Sequence, residues 1–161
     1  MISKNTKDSL KKAIEDDQKL ISLGNIEKTK EIFKRNCKLL KSIIKNEGWP
    51  PLEEDNSPFH NAWLIAQHSD HDPLFQLQCL GLIMPEINND KEIIIDCAFL
   101  LDRILINLKR KQIFGTQLGG KIEKPITFSP LQLGDLRNKI GLESIEEYLE
   151  DMRKYSKKNN P

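Results

Sequence analysis

The segment from Asp90 to Gln112, DKEIIIDCAFLLDRILINLKRKQ, most constrains the fold, because its apolar residues cover nearly the whole circumference of a helix. A helix that is hydrophobic on every side has to be covered by other elements. We therefore predict that this segment forms the central and most buried helix of the protein. Asn89 or Asp90 can cap its first turn, and its end is predicted near Lys111.

Helical periodicity also dominates the rest of the chain. Apolar residues recur at helical spacing over residues 10–21 and again over residues 26–44, with lysines on the opposite face of the second segment. Gly24 and Gly48 stand where these two helices would end. We predict an all-α, single-domain bundle of six or seven helices, with one irregular glycine-rich loop or short hairpin near 113–128.

Capping signals mark further helix starts. Asp72-Pro73 combines a helix-capping aspartate with a proline at the first helical position, and Ser57-Pro58 repeats that signal. The sequence SIEE, Ser144–Glu147, is a capping box for the last helix. These signals explain Asp72 as a structural residue.

The length and charge of the chain limit its organisation and its partners. We divide the 161 residues into an N-terminal amphipathic helix (1–24), a single helical domain (25–155) and a disordered basic tail (156–161). The chain carries 25 basic and 24 acidic residues, so it has no overall field that would attract nucleic acid. No apolar run approaches the roughly 18 residues of a membrane span. Neither nucleic acid nor a membrane is therefore an expected partner.

The cysteines indicate the compartment. Cys37, Cys79 and Cys97 are odd in number, and their spacing matches no zinc motif. Each lies in an apolar helical pattern, so we predict buried free thiols in a reducing compartment. A cytoplasmic protein is the resulting prediction.

Asp102 is a carboxylate in an apolar surface. Its neighbours one helical turn away include Ala98 and Ile106, and burying a carboxylate there costs several kcal/mol unless it is paired. Arg137, a histidine or the backbone N–H groups of a loop could supply the partner. Asp102 can therefore be a buried residue that fixes the FGTQ loop or a functional group. The adjacent Arg103 lies on a polar stripe that plain solvation also explains.

A second polar group surrounds the end of the helix that begins near Pro58. Trp63 lies between His60 and Gln67 on one side of this helix and forms an amphipathic wall suited to the edge of a pocket, although a half-buried surface tryptophan would look the same. His68 at the helix end can be a general base or a capping histidine. Asp70 has no local structural explanation.

The cluster at His68, Asp70, His71 and Asp72 contains residue types that bind zinc, manganese or iron. Its spacing differs from the i, i+4 pair of a helical metal site. Four ligands from five consecutive residues, followed by proline, would also be sterically awkward. We therefore predict no cofactor, with a divalent metal at His68 and Asp70 as the minority alternative.

The glycine-rich loop QIFGTQLGG is a candidate for binding an anion. Backbone N–H groups near Gly115, Thr116 and Gln117 could bind a carboxylate, a phosphate or a carbonyl oxygen. The loop lacks the Lys-Ser/Thr ending of a nucleotide-binding P-loop. A surface loop without a ligand is the alternative.

These stretches together resemble a bacterial family of unassigned function, domain of unknown function 6624. The family pattern is a GWP turn, W-L-x-x-Q-H-x-D-x-D-P-x-F-Q, a D-R pair, a Q-x-Y-G-T-Q loop and a late G-L with a tyrosine. The corresponding segments here are Gly48–Pro50, Trp63–Gln76, Asp102–Arg103, Gln112–Gln117 and Gly141–Tyr148, within residues 40–152. Phe114 replaces the family tyrosine, and the usual arginine pair is reduced to Arg137 beside Asn138. The resemblance implies a recurring residue set but brings no known activity.

From these observations we expect one polar pocket that binds a small polar or anionic ligand, for hydrolysis or group transfer. His68 would be the general acid/base and Asp102 its orienting partner. The expected ligand-binding residues are Trp63, Gln67, Asp70, Arg103, Thr116 and Gln117. The alternative is a non-catalytic interaction module, an adaptor or immunity-type protein with a protein partner, in which QHSDHDP only joins two helices.

Overall fold

Seven α-helices account for most of the described chain in this computed structural model, which describes residues 2–53, 57–88, 90–118 and 122–159. In chain order the helices are α1 (Lys4–Ser22), α2 (Ile26–Glu47), α3 (Ser57–Gln67), α4 (Pro73–Ile83), α5 (Lys91–Asn107), α6 (Leu133–Lys139) and α7 (Ile145–Asn159). Two 3-10 turns, Met84–Glu86 and Pro130–Gln132, complete the helical elements of these residues. The predicted all-α class with six or seven helices is confirmed.

The predicted caps at Asp72, Asp90 and Ser144 are formed, whereas Ser57 is itself the first residue of α3 and α5 ends at Asn107 rather than near Lys111. Asp72 accepts a hydrogen bond from the backbone N–H of Phe75, and Asp90 caps α5 through its side chain; Asn89 lies outside the described residues. The capping box of α7 is formed, because Ser144 and Glu147 each accept a bond from the other's backbone N–H. Gly24 and Gly48 take positive φ angles of 64° and 83° after α1 and α2.

The chain groups into two compact units, Met1–Glu86 and Ile87–Pro161. In the first unit α1 packs against α2 and α3, and α3 also packs against α2 and α4. The buried side chains of these helices include Leu10, Leu40, Phe59, Ile65 and Ile83. The predicted N-terminal helix is thus an integral part of the first core.

In the second unit α6 packs against α7, and a small apolar cluster is centred on Leu133, Ile145 and Leu149. The prediction that the segment now called α5 is the most buried helix is wrong. Five of its 17 residues are buried, against six of the 11 residues of α3. Apolar residues on every side of a helix allow it to be buried on every side. How much of it is buried depends on the elements that pack against it.

The described part of the connection between α5 and α6 is an irregular loop rather than a hairpin. Residues 119–121 lie outside the described residues. Within the described ranges its one bridge is parallel and joins Gln112 to Thr127. The backbone N–H of Phe128 donates to Gln112 O at 2.7 Å, and Gln112 N–H donates to Ile126 O at 3.2 Å. A hairpin would require antiparallel pairing.

The last helix extends further than the sequence pattern indicated. Residues 156–159, predicted as part of a disordered tail, continue α7, and residues 160 and 161 lie outside the described part. Lys154 forms ion pairs with Glu150 at 3.0 Å and Asp151 at 3.2 Å, and such i, i+3 and i, i+4 contacts favour a final helical turn. None of the described helices has the length and apolar character needed to cross a bilayer.

The three cysteines are free thiols, as predicted; Cys37 and Cys79 are buried, and Cys97 is half-buried. Burial raises the pKa of Cys97 to about 11 and raises that of Cys79 further. Only about one in a thousand Cys97 thiols would be ionised at pH 8. We expect the native protein to react slowly with a disulfide reagent at that pH, and the same protein in guanidinium to react fully within minutes. Rapid labelling of the native protein would contradict this expectation.

Candidate functional site

The carboxylate of Asp102 is fully buried and saturated with donors from the loop that follows α5. Its Oδ1 accepts from the N–H of Ile113 at 2.7 Å, and both oxygens accept from the N–H of Phe114 at 3.2 Å. The N–H and hydroxyl of Thr116 donate to Oδ2 at 2.9 and 3.0 Å. This is the geometry of a buried aspartate that fixes the FGTQ loop, with backbone N–H groups as its partners.

Other members of the family pattern fold the same loop. The side chain of Gln112 donates to Gln117 O at 2.9 Å and accepts from Gln117 N–H at 2.8 Å. Arg137 donates to Phe114 O at 2.7 Å, and the Tyr148 hydroxyl donates to Thr116 O at 2.8 Å. Phe114 thus contributes through its backbone, so the missing tyrosine hydroxyl leaves these bonds unaffected.

Arg137 is the largest of the fully buried side chains in the described residues, with 1 % of its surface exposed. Its Nε donates to Glu143 O at 2.7 Å, and its guanidinium lies 5.2 Å from the centre of the Tyr148 ring. Burial lowers its pKa, while the nearby carboxylate of Glu143 opposes the shift. The cation therefore links α6, the segment before α7 and the loop around Asp102.

Gly115 allows the loop to pass close to the rest of the second unit. Its φ is +65°, and an added Cβ would lie 2.8 Å from Pro125 Cγ. We expect Gly115→Ala to lower the free energy of unfolding by about 1–3 kcal/mol, because it adds backbone strain and a steric overlap. Chemical denaturation measures the change. Gly81→Ala is the control, since a Cβ there meets nothing within 4 Å, and alanine favours the helix by up to about 1 kcal/mol.

Arg103 and Gln117 belong to the same network in the second unit. Arg103 donates to the side-chain oxygen of Gln117 at 3.1 Å, and the Gln117 amide donates to Phe99 O at 3.1 Å. The second unit therefore brings together Asp102, Arg103, Thr116 and Gln117. Asp102 accepts hydrogen bonds from Thr116, and Arg103 donates one to Gln117.

His68 lies in the first unit and has a different carboxylate partner from the one expected. Its Nδ1 is 3.0 Å from Oδ2 of Asp17, which is fully buried in α1. The side chain of Asn36 donates to the other oxygen of Asp17 at 2.6 Å and to Ala13 O at 3.0 Å. Phe33 stacks on the imidazole, with ring centres 4.4 Å apart and planes inclined by 25°.

The imidazole of His68 is therefore fixed by α1, by α2 and by its own position after α3. Its side chain is 16 % exposed, and in the described residues its Nε2 makes no hydrogen bond. Asp102, the carboxylate expected beside His68, accepts hydrogen bonds within its own unit, and the carboxylate that contacts His68 is that of Asp17. Asp17 lies on the apolar stripe of α1 with Ala13. A carboxylate in such a stripe is the sequence feature from which this site residue could have been found.

Ser69 and Asp72 of QHSDHDP, together with the nearby Gln76, complete helix ends. The Gln76 amide donates to Ala66 O at 3.0 Å and Gln67 O at 3.2 Å, and the Ser69 hydroxyl donates to Ile65 O at 2.8 Å. Asp72 also pairs with Lys41 at 2.6 Å, and this bond lowers the pKa of its carboxyl group.

Among the described residues, two buried donors of the first unit have no partner. Gln67 is 7 % exposed, yet its side-chain Nε2 makes no hydrogen bond, and the indole Nε1 of Trp49 is likewise unpaired. Such a group costs about 1–3 kcal/mol unless a ligand or water satisfies it. Trp49, in the GWP turn, was not among the predicted site residues. Trp63 and Asp70 are half-buried.

The predicted site residues thus form two groups, each within one unit. Trp63, Gln67, His68 and Asp70 are in the first, and their convergence with the Asp102 group on a single pocket stays a prediction. Among the described residues, no three His, Cys, Asp or Glu side chains form a group that could hold a metal ion. The divalent metal at His68 and Asp70 also stays a prediction.

Comparisons with known proteins give one finding. Neither the curated proteins nor the solved structures contain a match to this chain. The model of a family of unknown function, DUF6624, matches residues 22–158. This range includes the GWP turn, His68, the Asp102 network and nearly all of α7, and it leaves out nearly all of α1. The chain belongs to the DUF6624 family.

Proposed function

We propose that this protein is an enzyme that carries out hydrolysis or group transfer on a small polar or anionic substrate, with His68 as general acid and base. The observation that supports this proposal is the 3.0 Å contact between His68 Nδ1 and the fully buried carboxylate of Asp17. A carboxylate on one ring nitrogen fixes the orientation of an imidazole and leaves the other nitrogen for proton transfer.

The chemistry follows from the two ring nitrogens. When Nδ1 carries the proton it donates to Asp17, and Nε2 then has a lone pair that accepts a proton from water or a substrate hydroxyl. Asp17 stabilises the imidazolium formed in that step. Asn36 holds the carboxylate and Phe33 holds the ring face, so the direction of Nε2 is maintained.

Gln67, next to His68 in the chain, provides a second reason to propose a polar ligand. Its unpaired, buried Nε2 is a donor that an oxygen atom of a substrate would satisfy. Binding that satisfies an otherwise unpaired donor gains more than binding to a group already hydrogen-bonded. Gln67, the residue that precedes His68 in the chain, is therefore the proposed anchor for substrate oxygen.

We expect His68→Gln to lower turnover by about 10²- to 10⁴-fold, because glutamine keeps a polar side chain but cannot transfer a proton. The measurement is hydrolysis of a panel of chromogenic carboxylic esters, phosphate esters and glycosides by the full chain. His71→Gln is the control, since His71 is an exposed histidine three residues away. Equal turnover by the wild type and His68→Gln, or no turnover of any panel member, would count against the enzyme proposal.

The second candidate is the non-catalytic interaction module with a protein partner. It is favoured by the way Ser69, Asp72 and Gln76 use their side chains to complete helix ends. In that case His68 serves only to join α1 to α3, and its Nε2 has no chemical task. Wild-type protein without turnover, together with loss of stability in His68→Gln, is the result that would favour this candidate.

A further inference from the structure

Three consecutive cations follow α5 and separate two grooves of the second unit. Lys109, Arg110 and Lys111 are exposed, and within the described residues their side chains make no ion pair or hydrogen bond. We call these three residues the basic ridge. The first groove, about 590 Å³, and the second, about 750 Å³, both have the ridge as one wall. Cavities of this size accommodate small organic ligands.

Lys109 takes a conformation that is costly for a lysine. Its φ is +59°, and the N–H of Arg110 donates to Leu105 O at 2.7 Å while that of Lys109 donates to Ile106 O at 2.9 Å. These bonds form the helix-ending motif whose left-handed position is usually occupied by glycine. Cations after a helix interact favourably with its dipole, but that effect does not require a lysine at the strained position. Strain retained at one residue points to a use for its side chain.

The two grooves differ in chemistry. Among the described residues, the first groove adds Lys124 to the ridge and has one acidic residue, Glu123. It keeps an excess of positive charge even though Lys124 pairs with Glu146 at 3.3 Å. The second is lined by Leu105, Ile113 and Phe128, and Phe128 is 78 % exposed. An exposed aromatic ring beside unpaired cations suits a molecule that carries both an anion and a planar ring.

We propose that the basic ridge binds a small phosphorylated molecule with a planar ring, of the class of mononucleotides. The phosphate lies on the ridge at the first groove, and the ring stacks on Phe128 in the second. The site does not use the loop N–H groups first considered for anion binding, because that of Thr116 donates to Asp102 and that of Gln117 donates to the side chain of Gln112. This site does not depend on the role proposed for His68.

The test is titration calorimetry of the full chain with adenosine monophosphate, adenosine and inorganic phosphate at low salt. We expect the monophosphate to bind more tightly than either part, and its affinity to fall as salt is raised. Phe128→Ala should weaken the monophosphate by about threefold to tenfold and leave inorganic phosphate unchanged. Lys38→Ala is the charge control, because Lys38 is exposed on α2 in the other unit.

Lys109→Gly separates binding from stability. Glycine relieves the strained φ, so the melting temperature should rise by about 2–4 °C while the affinity for the monophosphate falls by about threefold to tenfold. A variant that is less folded cannot produce this combination. The proposal is overturned if the monophosphate gives no heat at millimolar concentration, if Lys109→Gly binds as tightly as the wild type, or if Lys38→Ala weakens binding equally.

Discussion

Replacing Asp102 with alanine is expected to lower the free energy of unfolding by about 3–5 kcal/mol, which would be the largest effect of any single substitution considered for this protein. The change leaves the N–H groups of Ile113, Phe114 and Thr116 buried without an acceptor. It also opens a space in the interior where the carboxylate stood. Because these donors all come from one loop, we expect the loop to lose its fixed conformation.

Denaturation in urea measures this loss, and hydrogen exchange at Ile113 and Thr116 locates it. Asp102→Asn should have a smaller effect, since one oxygen remains, but its new NH₂ group faces donors of the loop. Asp8→Ala is the control, because Asp8 is exposed and a surface change is worth about 0.5 kcal/mol or less. A loss below about 1 kcal/mol in Asp102→Ala would show that the loop does not depend on the carboxylate.

The second large effect is expected at Asp17. Asp17→Ala removes the acceptor for the Asn36 amide and the partner of His68 Nδ1, so we expect a loss of about 2–4 kcal/mol. For a chain of this size that corresponds to a decrease in melting temperature on the order of 10 °C. A double-mutant cycle with His68→Ala should give a coupling energy of about 0.5–3 kcal/mol between the two residues.

Asp16→Ala provides a matched comparison, because Asp16 is the preceding residue of α1 and pairs with Arg35 at 2.8 Å on the surface. Exposed ion pairs of this kind contribute about 0–1 kcal/mol. Similar losses in Asp16→Ala and Asp17→Ala, or a coupling energy of zero with His68, would mean that the buried contact contributes nothing specific to the fold.

The sequence was most informative where the structure depends on neighbouring residues. The caps at Asp72, Asp90 and Ser144 were predictable, because a capping side chain bonds to a backbone group two or three residues away. The misplaced carboxylate of Asp102 was also recognisable from its apolar neighbours. The backbone N–H groups that pair with Asp102 were among the predicted partners, because the glycine-containing loop follows closely in the chain.

Contacts between distant segments could not be predicted in the same way. Asp17 and His68 are 51 residues apart, and only the packing of α1 against α3 brings them together. Arg137 reaches the loop around Asp102 across 23 residues. The extent of burial around α5 also depended on how many elements lie against it, and periodicity does not contain that information.

The position of Asp17 also shows that a boundary drawn by resemblance differs from a boundary drawn by folding. The family match begins at residue 22, after this carboxylate, whereas α1 packs on α2 and α3 and supplies the partner of His68. A fragment trimmed to the matched range would keep all the motif residues and lose the Asp17 carboxylate, which holds the imidazole of His68 in place. The matched range is therefore one portion of a larger physical unit.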